Sequence, residues 1–228
     1  MTFSILARDP ETGAIGGAAA TGSLCVGGWV LRGDPLSGMS ASQGASPSTF
    51  WGDDVLNKMR GGLNAEQAVQ QIVSSDTGRE YRQLSALDPT GAAAAFTGAE
   101  NQDVKGSRVF SDGIVAGNML GGNAVLPAME AAFSAASGRF DSRLLQALAG
   151  ARDAGGDFRG LLSAALLVLH PERPPLTLRV DFHPDDPIGA LDQLFHRATT
   201  GDYAEWAQQV PVLADKERIL GSGPIDFR

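Results

Sequence analysis

Cysteine is almost missing from this chain, with Cys25 the single example. One thiol excludes an internal disulfide and a cysteine-based zinc site, and Cys25 is expected to serve as a small buried apolar residue. Basic residues are also scarce, 18 against 26 acidic ones for a net charge of −8, and no block of Lys or Arg is present to track a phosphate backbone. Counterion release therefore has little to act on, and neither nucleic acid nor an anionic membrane is an expected partner. Long apolar runs are absent too: the longest, Ala164 to Leu169, falls far short of the roughly 20 residues needed to span a bilayer. The first residues carry Arg8 and Asp9 and alternate polar with apolar, unlike a secretory signal, so a cytoplasmic location is expected. His170, His183 and His196 stand too far apart for a local ligand pair and no His-Glu-x-x-His occurs, so no metal site is expected. Gly13, Gly16 and Gly17 lack the strand-then-helix setting of a dinucleotide loop, and no Gly-Lys-Ser/Thr appears, so no cofactor is expected.

What is present is a grouped pattern of strands and helices. Phe3, Ile5 and Ala7 alternate with Thr2, Ser4, Leu6 and Arg8, which predicts a strand. A turn over Asp9 to Gly13 then returns the chain as a strand of small residues from Ala14 to Thr21. Val26 to Leu31 and Leu36 to Gln43 predict two further strands. Helices are expected from Ser48 to Met59 and from Asn64 to Ser75, the latter opened by Asn64 and Gln67 in capping-box spacing. Strands follow at Arg82 to Asp88, Ala92 to Thr97, Val104 to Phe110 and Ile114 to Leu120, then helices around Val125 to Ala136 and Leu144 to Leu148, the second with Asp141 as a cap. Strands at Ser163 to His170 and Leu176 to Phe182 precede a helix opened by Asp186-Pro187. Strands grouped in hairpins favour antiparallel sheets with helices outside, an α+β chain in the form of a four-layer αββα sandwich. The 228 residues are expected to form one domain, with 200–228 the least legible stretch. Trp206 and Phe227 in that stretch suit either a homodimer contact or a cover for the domain's own surface.

Thr2 is the residue of greatest chemical interest. It is small, so removal of Met1 by methionine aminopeptidase is expected, leaving a hydroxyl nucleophile and a free α-amine in one residue. An amine with a pKa of about 7.7 to 8.0 is partly neutral at working pH and can take the hydroxyl proton. A hairpin centred on Glu11 pairs residues whose numbers sum to about 22, placing Thr2 opposite Ala20 and near Thr21. Thr21 or Ser23 would then hydrogen-bond the amine, and the small partners leave room for a substrate carbonyl. Equally, small residues let two sheets pack closely.

The run Thr2-Phe-Ser-Ile-Leu-Ala-Arg-Asp-Pro-Glu-Thr-Gly13 resembles the opening of an uncharacterised bacterial family, domain-of-unknown-function family 1028. Ser42-Gln43, Gly61-Gly62-Leu63, Arg82-Gln83-Leu84, Gly117-Asn118, Ser163-Ala-Ala-Leu166 and Leu178-Arg-Val-Asp181 continue the likeness to about Ala190. The resemblance implies the N-terminal-nucleophile (Ntn) hydrolase fold and hydrolysis of an amide bond. A small-molecule amide as substrate and Thr2 as nucleophile are the corresponding expectation. In that setting Arg32 is the nearest cation by chain order, although a turn arginine in solvent fits it as well. Ser42, Gln43 and Asn118, at strand ends, are candidates to donate to an oxyanion or bind substrate. The chain departs from the family pattern at Phe96, Ser46 and Leu162, where His, Asn and Gln are frequent. Those departures motivate the alternative of a catalytically silent binding or regulatory protein.

Overall fold

The computed structural model describes residues 2–219. Ten strands form two antiparallel sheets. The larger contains β1 (Thr2–Arg8), β2 (Ile15–Thr21), β7 (Gly106–Phe110), β8 (Gly113–Asn118), β9 (Ser163–His170) and β10 (Arg173–Val180), in the order β10-β9-β2-β1-β8-β7. The smaller runs β3-β4-β5-β6, from β3 (Leu31–Asp34), β4 (Gly38–Gly44), β5 (Arg82–Leu87) and β6 (Ala93–Thr97). Seven α-helices accompany them among the described residues: α1 (Val26–Trp29), α2 (Thr49–Arg60), α3 (Ala65–Ser74), α4 (Val125–Ala135), α5 (Phe140–Asp153), α6 (Pro187–Thr199) and α7 (Gly201–Ala207).

Period-two alternation decides which side chain meets which layer. Phe3, Ile5 and Ala7 of β1 face Met129, Phe133, Leu144 and Leu148 of α4 and α5, while Ile188 and Leu191 bring α6 into the same cluster. Leu84 and Ala86 of β5 face Val55, Met59, Val69 and Ile72 of α2 and α3. Between the sheets lie Leu6, Ile15, Ala19, Met39, Ala41, Leu87 and Ile114. Burying each large side chain in these layers contributes about 1.5–3 kcal/mol. The α3 capping box forms as the spacing predicts: the Asn64 side chain accepts from Gln67 N–H while the Gln67 side chain accepts from Asn64 N–H.

Five local expectations are corrected. Val26 to Leu31 is not one strand: α1 occupies its first part and β3 begins at Leu31. The cause is close packing, because a Cβ on Gly27 would lie 2.7 Å from Ala165 Cβ, and Cys25 enters the turn in the left-handed region at φ 59°. Cys25 is accordingly half-buried, not enclosed. The β1–β2 hairpin pairs Phe3 with Ala20 and Arg8 with Ile15, one residue off the expected register. Its loop closes by Asp9 N–H on Ala14 O and Gly13 N–H on Asp9 O. β10 starts at Arg173, ahead of Leu176, since Pro174 and Pro175 are tolerated at the sheet edge, where no ladder donor is required. Asp141 does not cap α5; Arg139 precedes the helix and Asp141 pairs with it from the first turn. The stretch from residue 200 contains α7, in which the Tyr203 and Trp206 rings meet at a 48° tilt with centres 5.6 Å apart, and Phe227 lies outside the described residues. No helix among the described residues is long and apolar enough to cross a membrane.

Candidate active site

Thr2 opens β1, an interior strand flanked by β2 and β8. Its side chain sits on the face directed at the other sheet, as do Ser4 and Leu6, and lines a cleft of about 460 Å³. The observed register carries Thr2 past Ala20 to Thr21, and Thr2 Oγ1 donates to Thr21 Oγ1 at 3.3 Å. The hydroxyl is therefore presented to the cleft beside a second hydroxyl. The rest of the wall comes from Ser23, Leu24, Val26, Trp29 and Val30 around α1, from Gln43, Gly44, Ala45 and Pro47 at the end of β4 and just beyond it, and from Gln102, Met119 and Arg159.

Beneath Thr2 lies a closed network of three buried amides. Gln83 Nε2 directs its two hydrogens, one of them shared, at Thr97 Oγ1 at 2.8 Å and at Gly106 O and Gly117 O at 3.0 Å each, which turns its Oε1 toward the opposite side. That Oε1 accepts from Gln43 Nε2 at 2.7 Å and from Asn118 Nδ2 at 3.2 Å. Gln43 Nε2 spends its other hydrogen on Thr2 O at 3.3 Å. Gln83 thus dictates the orientation of both neighbours. The consequence is that Gln43 Oε1 and Asn118 Oδ1 are buried acceptors without a partner among the described residues. An orphan buried acceptor costs about 1–3 kcal/mol, so these two oxygens call for a donor such as an ammonium or a substrate N–H.

The candidates named from the sequence divide accordingly. Thr2, Thr21, Ser23 and Gln43 all line the cleft, and Asn118 is the cross-strand partner of Thr2. Gln43 has no hydrogen left for an oxyanion, whereas Asn118 retains one. Ser42 points the other way, donating to Ser48 O at the start of α2. Arg32 lies outside the cleft, its guanidinium 3.5 Å from Asp53 and its stem against Gly52 of α2. Alternation explains both: in β4 only Met39, Ala41 and Gln43 face the neighbouring sheet, and Arg32 in β3 pairs with Ser40, on the same outer face as Ser42.

The cation at the cleft is Arg159, from the loop between α5 and β9. Its Nε and Nη2 grip Asp157, whose side chain is fully buried, at 3.3 and 3.1 Å. Asp157 also accepts from Gly22 N–H and from Arg159 N–H, joining this loop to the end of β2. The sequence signal was Gly155-Gly156-Asp157-Phe158-Arg159-Gly160, a glycine-flanked charge pair. Gln83 also went unnamed as a site residue, because a lone Gln in a strand has no distinguishing pattern. Phe96, Ser46 and Leu162 do not line the cleft: Phe96 packs edge-on against Trp51, 6.3 Å between ring centres. Among the described residues, no group of three or more His, Cys, Asp or Glu is placed to hold a metal ion.

Residues 2–191 match the family of unknown function DUF1028. The chain belongs to that family. It is also similar to protein SPO2555 from Silicibacter pomeroyi, a DUF1028 protein of known crystal structure, with 68% identity and a TM-score of 0.93 over 96% of this chain and 99% of that one. No curated protein matches the chain.

Proposed function

We propose that this DUF1028 protein is an amidohydrolase of the Ntn type, acting on a small-molecule amide with Thr2 as nucleophile. The observation that carries it is the Thr2 hydroxyl at the floor of the cleft, at the start of an interior strand and above a built polar network. Helices against the outer face of each sheet, with the sheets face to face, are consistent with the αββα sandwich of that superfamily.

In this reading removal of Met1 frees the Thr2 amine. Thr2 Oγ attacks the substrate carbonyl carbon and its proton passes to the α-amine. The tetrahedral intermediate collapses, the C–N bond breaks, and the departing amine takes that proton. A water then gives a proton to the α-amine and attacks the ester, releasing the acid and restoring Thr2. The orphan oxygens of Gln43 and Asn118 are suited to hold the α-ammonium between steps, and the unspent Asn118 N–H is suited to the oxyanion.

The test combines intact-mass spectrometry of tag-free protein with hydrolysis of an amide panel. Loss of Met1, abolition of turnover by Thr2→Ala and partial retention by Thr2→Ser are the expected results. Full retention of Met1, or turnover unaffected by Thr2→Ala, would overturn the proposal.

A further inference from the structure

The cleft carries a partly exposed cation that the hydrolytic chemistry itself does not use. Arg159 is the single charged side chain among the described residues that line it, in a chain whose net charge is −8. Asp157 does not simply cancel this charge. Its two oxygens accept from Gly22 N–H at 2.6 Å and Arg159 N–H at 2.8 Å as well as from the guanidinium, so its negative charge is shared among four donors. Asp157 is buried at 0% side-chain exposure while Arg159 keeps 35%, so the pair is anchored on one side and open on the other. The Nε and Nη2 edge is engaged, Nη2 also lying 3.4 Å from Ser23 Oγ, while Nη1 has no hydrogen-bond partner among the described residues. A guanidinium held by its inner edge loses little side-chain freedom on binding a second anion, which makes a preorganised carboxylate receptor.

Ser23, touching Arg159, stands two residues after Thr21, which touches Thr2. Gly22 and Ser23 bend the chain at the end of β2, so the residues touched by the Thr2 hydroxyl and by the Arg159 guanidinium are at most about 7 Å of backbone apart, which suits an amide and a carboxylate carried on one small molecule. Leu24, Val26, Trp29, Val30 and Met119 supply an apolar wall, with Leu24 and Trp29 more than half exposed.

We infer that the substrate is a monoanionic amide, an apolar body bearing one carboxylate that pairs with Arg159, as in N-acyl amino acids. This rests on the proposed hydrolytic reading for the fate of the amide but not for the binding of the acid. Binding is therefore measured in the Thr2→Ala protein, where no turnover is needed. Isothermal calorimetry compares N-acetyl-L-phenylalanine with N-acetyl-L-phenylalaninamide, and N-hexanoylglycine with N-hexanoylglycinamide, pairs that differ only in the charged group. The expected result is tighter binding of the acid in at least one pair by about 10- to 100-fold. That ratio collapses to near one in Thr2→Ala/Arg159→Gln and is partly restored by Arg159→Lys, with thermal melting confirming that each variant is folded. If neither acid outcompetes its amide, whether by equal binding or by no binding at all, or if Arg159→Gln preserves the ratio, the inference is overturned. Failure of the hydrolytic reading with this ratio intact would instead leave an acid-binding protein.

Discussion

The two ends of the space between the sheets are built from opposite chemistry on the same strands. Reading inward-facing residues from the cleft end, β1 runs Thr2, Ser4, Leu6; β2 runs Thr21, Ala19, Gly17, Ile15; β4 runs Gln43, Ala41, Met39. β5 runs Gln83, Ser85, Leu87, and β8 runs Asn118, Ala116, Ile114. Each of these five strands passes from a polar group through small residues to a large apolar one. The apolar end closes by burial, which needs no geometry beyond volume. The polar end closes only through directed hydrogen bonds, and it leaves two acceptors beside Thr2 without a partner among the described residues. The same pair of sheets therefore holds an apolar, stabilising end and a polar end that carries the candidate site, and the second depends on the first for its rigidity.

The largest effect is expected where the polar end is broken. Gln83→Leu strands the Gln43 and Asn118 amides and the Gly106 and Gly117 carbonyls together, so it should cost about 4 kcal/mol or more by chemical denaturation and remove turnover. Leu87→Ala at the apolar end should cost about 3 kcal/mol by the cavity it leaves, with the properties of the site retained in the folded fraction. In the middle, Ser4 Oγ is buried with no partner among the described residues, so Ser4→Ala should raise stability by up to about 1 kcal/mol in the same measurement.

The smallest effect lies outside both ends, at Asp76. Burial works to raise its carboxyl pKa, but the Gly78 N–H, the Arg82 guanidinium at 2.9 Å and Trp51 together hold it below the ordinary carboxylate value. A folded pKa below the unfolded one contributes stability above the ordinary value near 4, and that contribution disappears as pH falls through the folded pKa. Asp76→Asn should thus lose less than about 1 kcal/mol at pH 7 and nothing measurable in strong acid, as urea midpoints across pH would show.

Much of this arrangement is legible in the sequence because it is local. The alternation in β1, the α3 capping box and the Asp186-Pro187 opening of α6, where Asp186 accepts from Gly189 N–H, each depend on a few adjacent residues. The hairpin register shifted by one because the turn centre falls between Glu11 and Thr12, a difference set by loop hydrogen bonds and not by composition. That single step exchanges Ala20 for Thr21 as the neighbour of Thr2. Arg32 and Ser42 were close in order yet lie outside the cleft, for the face a strand residue takes matters more than its proximity along the chain. Arg159 and Gln83 reach the site from distant segments: the glycine-flanked Asp157–Arg159 pair marks a built loop but not where it docks, and Gln83 has no local mark at all.

The central claim is that Thr2 is the reactive group, and active-site acylation tests it most directly. Tag-free protein is treated with a β-lactone electrophile and digested, and the adduct is located by tandem mass spectrometry. The expected product is a stoichiometric ester on Thr2 of chains that have lost Met1, and none in Thr2→Ala. An adduct on another residue, or none on protein with a free Thr2 amine, would contradict it.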